Sequence, residues 1–475
     1  MILLKKAYAF LWLSAGLVIT FWLNTVSHPI FSFFEANPEG HLLVIFYTIA
    51  LICVLSFVIF ILSSGTPLPS FVVAILFGIV GRDLFAPVVD HRVALGAIVG
   101  FGATLILFGG GLETPWENFK KLLWKILSLS FAGLFITALL FSVIVAMLAR
   151  FFGMEVSVTA AVLLGAVLAS TDPAAIIPVL KTLRFHNRDT KDIVVSESAM
   201  TDVTGTLLTV VFLSLIGAGV TFATVGNAYG FLLSADTIRI LVRQISYGVV
   251  LGTAGYVMLQ LLSRMIQKRG EEFETDAAYF LFVPIIIFTI ALAFGGSGYL
   301  AAFVAGLLFV LSENMHVTAK FFNQMIDGFF KPAIFLLLGA LVDPSSLVTY
   351  AGLGIAASLV FMFVIRPLAV FLTLGPFSFF GNNRFTVREL LFVSFVRETG
   401  AIPAVLLVTI VGLGMPDLNG LLPIGLWAIL STLVLQPALT PAVARFLGVA
   451  SIIPHRERPE RKTTGILQPP LFSGF

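Results

Sequence analysis

The sequence predicts an all-α polytopic membrane protein of about 14 transmembrane helices, built as two inverted six-helix repeats with two crossing broken helices. Three observations predict it. First, 59% of the 475 residues are hydrophobic and 11% charged, with mean hydropathy +1.05, whereas a soluble domain carries about a quarter charged residues. Second, Lys and Arg are distributed unequally among the loops between apolar runs. Third, short motifs recur in the same order in the two halves. This composition excludes a soluble enzyme, a nucleic-acid binder and a fibrous or disulfide-built protein. The net charge of +3 calls for no polyanionic partner, and a lone cysteine, Cys53, forms no intrachain disulfide.

The apolar runs fall at 7–26, 42–63, 68–81, 92–112, 122–149, 156–180, 192–217, 236–263, 277–294, 298–312, 326–342, 348–374, 387–413 and 421–447. Lys5 and Lys6 precede the first, as in a signal peptide. Its length and the lack of a small-residue cleavage site make it a retained helix. This gives an extra N-terminal helix and outside loop at 1–41, a first repeat at 42–217, a linker helix within 218–276 and a second repeat at 277–447. The segment 448–475 contains HRERPER and QPP and reads as a disordered cytoplasmic tail.

With the N-terminus inside, the inner segments hold 20 Lys and Arg and the outer ones only 3, namely Arg82, Arg92 and Arg150. The bias puts both termini in the cytoplasm of a multi-pass cell (inner) membrane protein. Five basic residues lie within helices. Arg239, Arg243 and Lys331 sit near helix ends and are expected to snorkel to an interface. Arg366 and Arg397 lie deeper and need partners or water.

The repeat spacing is near 229 residues. GLETP (111–115) corresponds to ALVDP (340–344), FVVAILFGIV (71–80) to FVAGLLFVL (303–311), and AAIIPVL (174–180) to GAIPAVL (400–406). A spacer of one helix makes the second half enter the membrane in the opposite sense, the pattern of secondary transporters.

Two equivalent helices are interrupted, at Ser170-Thr171-Asp172-Pro173 and at Arg397-Glu398-Thr399-Gly400. Proline removes a donor and glycine relaxes the helix, so backbone groups are freed at depth. Asp172 is expected to neutralise the amide ends and Arg397 the carbonyl ends. The following helix carries Glu197, Ser198, Thr201 and Asp202. Ser198 and Asp202 are four apart, which stacks a hydroxyl over a carboxylate as a partial cage for a small hard cation. A carboxylate at a helix centre marks an ion or proton path, and proton and cation compete for it. Glu197 points elsewhere, with Arg366 as its expected structural partner.

In this order the motifs resemble the sodium/proton exchanger branch of the cation–proton antiporter superfamily, in particular its NhaP-like members. The resemblance covers nearly all of 42–447. It includes Thr171-Asp172-Pro173, Glu197-Ser198-x-x-Thr201-Asp202, Ser297-Gly298-x-Leu300-Ala301, Ala305-Gly306-Leu307, Leu338-Gly339, Arg366 and Arg397. It implies a homodimer in lipid, with a core domain moving past a dimerisation domain in an elevator-like cycle. It also implies that Asp202 binds the cation or proton, that Ser198 and Thr171 help coordinate the transported ion, and that Glu197 pairs with Arg366.

The chain departs from the pattern at three places. Thr201 stands where Asn is frequent before the ion-binding Asp, and is counted with Asp172 among the ion-binding residues. Its lack of charge favours one-for-one, electroneutral exchange. Gly109 and Gly110 stand where an acid is frequent, the first acid being Glu113. Glu398 follows Arg397 where glycine is usual, and is expected to pair with it. The function expected is therefore monovalent cation/proton antiport, with Na⁺ favoured over K⁺ or Li⁺. The alternative is a cation channel of the same fold without proton coupling. No enzyme, cofactor or nucleic-acid partner is expected. A GxSG match at Gly295–Gly298 lacks a membrane-embedded histidine to serve serine chemistry, because the six histidines fall in loops or the tail.

Overall fold

The computed structural model describes residues 2–63, 66, 68–172, 177–267, 277–309, 315–380 and 385–452. A helix overlies each of the fourteen apolar runs. Among the described residues nine helices are long and apolar enough to cross a membrane. They become ten if Ser70–Val80 and Arg82–Val89, bent by 91° at Gly81, are one span. Four shorter apolar helices lie among them, including Val158–Leu168 and Ala401–Gly412. Helix is the expected form here, because hydrocarbon supplies no partner for a free backbone group.

Local sequence sets the ends. Gly153, at φ +65°, stops Leu134–Phe152 in the left-handed conformation that lacks a Cβ penalty. Asn187 caps Arg188–Gly217. Thr386 and Glu389 form a reciprocal capping box on Val387–Phe395.

Among the described residues, three spans contain a π-helical stretch, at Ser128–Gly133, Ile326–Phe330 and Phe361–Ile365. Apolar periodicity gives no sign of these widened turns. The run at 326–342 also extends backward, through helix Met315–Met325. Both expected interruptions are present. The first separates Val158–Leu168 from Ile177–Leu180, and the second separates Val387–Phe395 from Ala401–Gly412. Pro173 of the first break lies outside the described residues, as do 453–475 of the segment read as a tail.

The beginning of that segment is ordered, which corrects the reading of 448–475 as wholly disordered. Ala450–Ile452 pairs antiparallel with Leu183–Phe185, Arg184 facing Ser451. The His186 amide extends the pairing to the Val449 carbonyl at 3.1 Å. Strands of three residues carry too little alternation to be read from sequence.

Two glycine crossings bring helices to backbone contact. A Cβ on Gly78 would collide with the Leu336 carbonyl, and one on Gly339 with the Ile75 carbonyl. A Cβ on Gly111 would collide with the Phe303 carbonyl, and one on Gly306 with the Phe108 carbonyl. Ser70–Val80 is thus locked against Lys331–Leu341, and Arg92–Glu113 against Gly298–Leu308. Such small-residue contacts hold helices together where lipid offers no hydrophobic drive.

Candidate ion site at the crossing of the broken helices

The two breaks meet. The Asp172 amide donates to the Glu398 carbonyl at 2.9 Å, and the Ala401 amide donates to Asp172 Oδ2 at 3.2 Å. A carboxylate thereby faces the N-terminus of a half-helix, where unsatisfied amides and the helix dipole favour negative charge. Gly400 allows this approach, since a Cβ there would overlap the Asp172 side chain.

Two further groups at the second break, the Phe395 carbonyl and the Thr399 amide, are served from Leu421–Phe446. Gln436 Nε2 donates to the Phe395 carbonyl at 2.9 Å. Thr432 Oγ1 accepts from the Thr399 amide at 3.2 Å and lies 2.5 Å from Thr399 Oγ1. The sequence names Thr399 only as part of the break motif, and Thr432 and Gln436 stand outside every motif read from it. Polar residues in an apolar helix were the available signal.

Asp202 is buried, and its Oδ1 accepts a 2.6 Å hydrogen bond from Ser170 Oγ. The hydroxyl bonded to this carboxylate thus comes from the break. Ser198 instead donates to the Thr171 carbonyl. Thr171 Oγ1 lies 3.1 Å from Thr201 Oγ1, which also donates to the Ser198 carbonyl at 2.9 Å. These three hydroxyls tie the break to Arg188–Gly217. None of them lines the cavity on which the carboxylates open.

That cavity, of about 50 Å³, is walled by Asp172, Asp202 and Lys331, with Asp327, Glu113 and Gly110 toward its rim. The space is large enough to hold water together with an ion. A larger cavity of about 320 Å³ shares Glu113, Ile177 and Val195 with it and is lined by Lys181 and Lys191. The small cavity is therefore adjacent to the face carrying those lysines. Gly109 and Gly110 line the ion cavity, and Glu113, one turn on, accepts a 3.0 Å bond from Asn323. The first acid of this helix thus remains at the cavity, displaced by a turn.

Glu197 sits between two guanidiniums. Arg397 Nη2 contacts its Oε2, and Arg366 Nη2 is 3.8 Å from its Oε1; all three side chains are withdrawn from water. Arg366 also donates to Thr137 Oγ1 at 3.3 Å. Arg397, expected to serve carbonyl ends of its own break, reaches across to the neighbouring helix. Glu398 is buried beside it.

Lys331 departs most from expectation. It does not snorkel to an interface. It is 7% exposed, with Nζ 3.0 Å from Asp327 Oδ1 and 3.9 Å from Asp172 Oδ2.

The model of the transmembrane sodium/hydrogen exchanger family matches residues 13–445. The K⁺/H⁺ antiporter NhaP2 of Shewanella oneidensis is 28% identical over 410 residues, covering 84% of this chain and 66% of the relative. The chain thus spans just under two thirds of that relative's length. The Na⁺/H⁺ antiporter 1 of Methanocaldococcus jannaschii is 27% identical over 263 residues, 52% of this chain and 55% of that protein. Among solved structures, the sodium proton antiporter MjNhaP1 from Methanocaldococcus jannaschii superposes with a TM-score of 0.69 at 22% identity. The match covers 86% of this chain and 99% of that one, a likeness of fold.

Proposed function

This chain belongs to the sodium/hydrogen exchanger family, and from that premise we propose that it exchanges a monovalent cation for a proton at Asp202. The observation that carries the proposal is the opening of two buried carboxylates, Asp172 and Asp202, on one cavity at the meeting point of two broken helices. In this reading Asp202 binds either the cation or the proton, and Ser170, Ser198, Thr171 and Thr201 hold the break around it. Each ligand neutralises Asp202. An uncompensated Asp at the bilayer centre costs about 2.5–3.5 kcal/mol on insertion scales, roughly a hundredfold in population. The empty, ionised site therefore crosses rarely and the loaded one crosses readily. That difference makes transport an exchange.

The cycle proposed is an elevator-like movement of a core in a homodimer, electroneutral because Asp202 takes one charge at a time. The inverted-repeat reading is supported by contacts between corresponding segments of the two halves. Thr137 with Arg366, and Asp172 with Ala401, are each 229 residues apart and touch. A shift of 228 residues carries Gly78 onto Gly306 and Gly111 onto Gly339, so one glycine crossing becomes the other. Two-fold related halves meet in this manner. Relatives bear both K⁺/H⁺ and Na⁺/H⁺ names, so Na⁺, K⁺ and Li⁺ are all to be compared.

The test is purified protein in proteoliposomes with an imposed pH gradient and an internal pH dye. Addition of the transported cation collapses the gradient equally with voltage clamped or free. Cation flux without proton movement overturns the reading in favour of a channel.

A further inference from the structure

We propose that Lys331 is the resident counter-charge of the ion cavity, and that by holding Asp172 it restricts the cavity to one monovalent charge. This rests on the reading of the cavity as an ion site. Lys331 opens the helix Lys331–Leu341, directly after the π-helical stretch Ile326–Phe330 and before Pro332. The Gly78–Gly339 crossing packs this helix into the interior, and its first residue is carried to the break with it.

The charges at the cavity divide by their access to water. Asp172, Asp202 and Lys331 are each less than a tenth exposed. Asp327 is half exposed at the rim and Glu113 is exposed, so both lie outside this buried set. The groups withdrawn from water leave one net negative charge. The neighbouring set of Glu197, Glu398, Arg366 and Arg397 adds none. A single deficit is what one monovalent cation or one proton cancels, whereas a divalent ion would leave an unpaired positive charge in a low-dielectric site.

Position reinforces the count. The Asp172 carboxylate is engaged by the Ala401 amide on one side and the Lys331 ammonium on another. Asp202, which accepts from Ser170 Oγ, remains for the ion. Lys331 is accordingly a specificity-determining residue. An ammonium on a flexible stem suits a contact that lies beside, rather than in, the ion's place.

The experiment measures binding to the full chain in detergent, with Na⁺, K⁺ and Li⁺ by calorimetry and Mn²⁺ by the loss of its free-ion paramagnetic resonance signal. Lys331→Met exposes a second negative charge, and its Mn²⁺ affinity is expected to rise at least tenfold over the parent. Lys331→Arg is expected to remain within threefold, and Lys331→Met/Asp172→Asn to return to the parent value. Should Lys331→Met fail to fold, Asp172→Asn and the double variant decide. Asp172→Asn alone removes the deficit and loses monovalent binding at least tenfold, and the double variant restores it. A twofold or smaller Mn²⁺ gain in folded Lys331→Met, or a double variant no better than Asp172→Asn, overturns the proposal. Proteoliposomes of the parent protein separate the two readings: no cation-driven proton movement there defeats exchange, whereas the Mn²⁺ pattern reports on Lys331 alone.

Discussion

Asp172 Oδ2 accepts the amide of Ala401 at 3.2 Å, which joins the two interrupted helices across 229 positions of sequence. The contact joins the breaks where their freed backbone groups are most in need of partners. Its energetic logic is mutual. The half-helix gains an anion at its N-terminus, and a carboxylate far from water gains a donor with a favourable dipole behind it. The Glu398 carbonyl, bonded to the Asp172 amide, closes the same junction from the other direction.

Ser170→Ala removes the 2.6 Å donor to Asp202. A hydrogen bond to a charged group contributes about 1.5–3 kcal/mol. At fixed pH the half-saturating cation concentration for proton efflux is expected to rise about tenfold, as the proton competes better for a carboxylate that has lost its donor. Initial rates against cation concentration check this, and an unchanged half-saturation counts against Ser170 as the partner that matters.

Glu197→Ala leaves Arg366 and Arg397 buried without the carboxylate between them. Breaking a buried ion pair from one side costs about 3–5 kcal/mol. The detergent-solubilised variant is expected to melt well below the parent, and a neutral replacement of similar size, Glu197→Gln, to recover part of the loss. Unchanged melting would show that the cluster does not hold the helices together.

Gly339→Val places a side chain on the Ile75 carbonyl, where even a Cβ collides. Overpacking of this kind costs about 1–3 kcal/mol, and a lowered melting temperature is expected. Gly110→Ala is the contrast, since an added Cβ there meets nothing within 4 Å, and its melting temperature is expected to match the parent. Equal effects of the two substitutions would contradict the crossing as drawn.

The sequence makes the helices, the two breaks and the acidic character of the site legible, because each has a local signature. Apolar length marks a span. Proline or glycine beside a charge marks a break, and an acid amid apolar residues marks a depth at which charge needs a reason. The partners were less legible. Ser170 stands in the break motif, yet its bond to Asp202 depends on how the break packs against Arg188–Gly217. Ser198 has the helical spacing for a cage over Asp202, but the neighbouring Thr171 carbonyl takes its hydroxyl. Lys331 reads as an interfacial lysine because it lies near the end of an apolar run, and only the Gly78–Gly339 crossing carries it inward. Thr432 and Gln436 serve a break in a different helix, a relation absent from any single segment. The pairing of Leu183–Phe185 with Ala450–Ile452 joins residues more than 260 positions apart through three-residue strands.

The most direct test of the central claim is Asp202→Asn in proteoliposomes beside the parent protein, with folding verified by a monodisperse gel-filtration profile. Na⁺, K⁺ or Li⁺ is expected to dissipate the pH gradient with the parent, and the variant is expected to leave it intact, with its calorimetric cation binding also lost. Parent-like proton movement in the folded variant would contradict the assignment of exchange to Asp202.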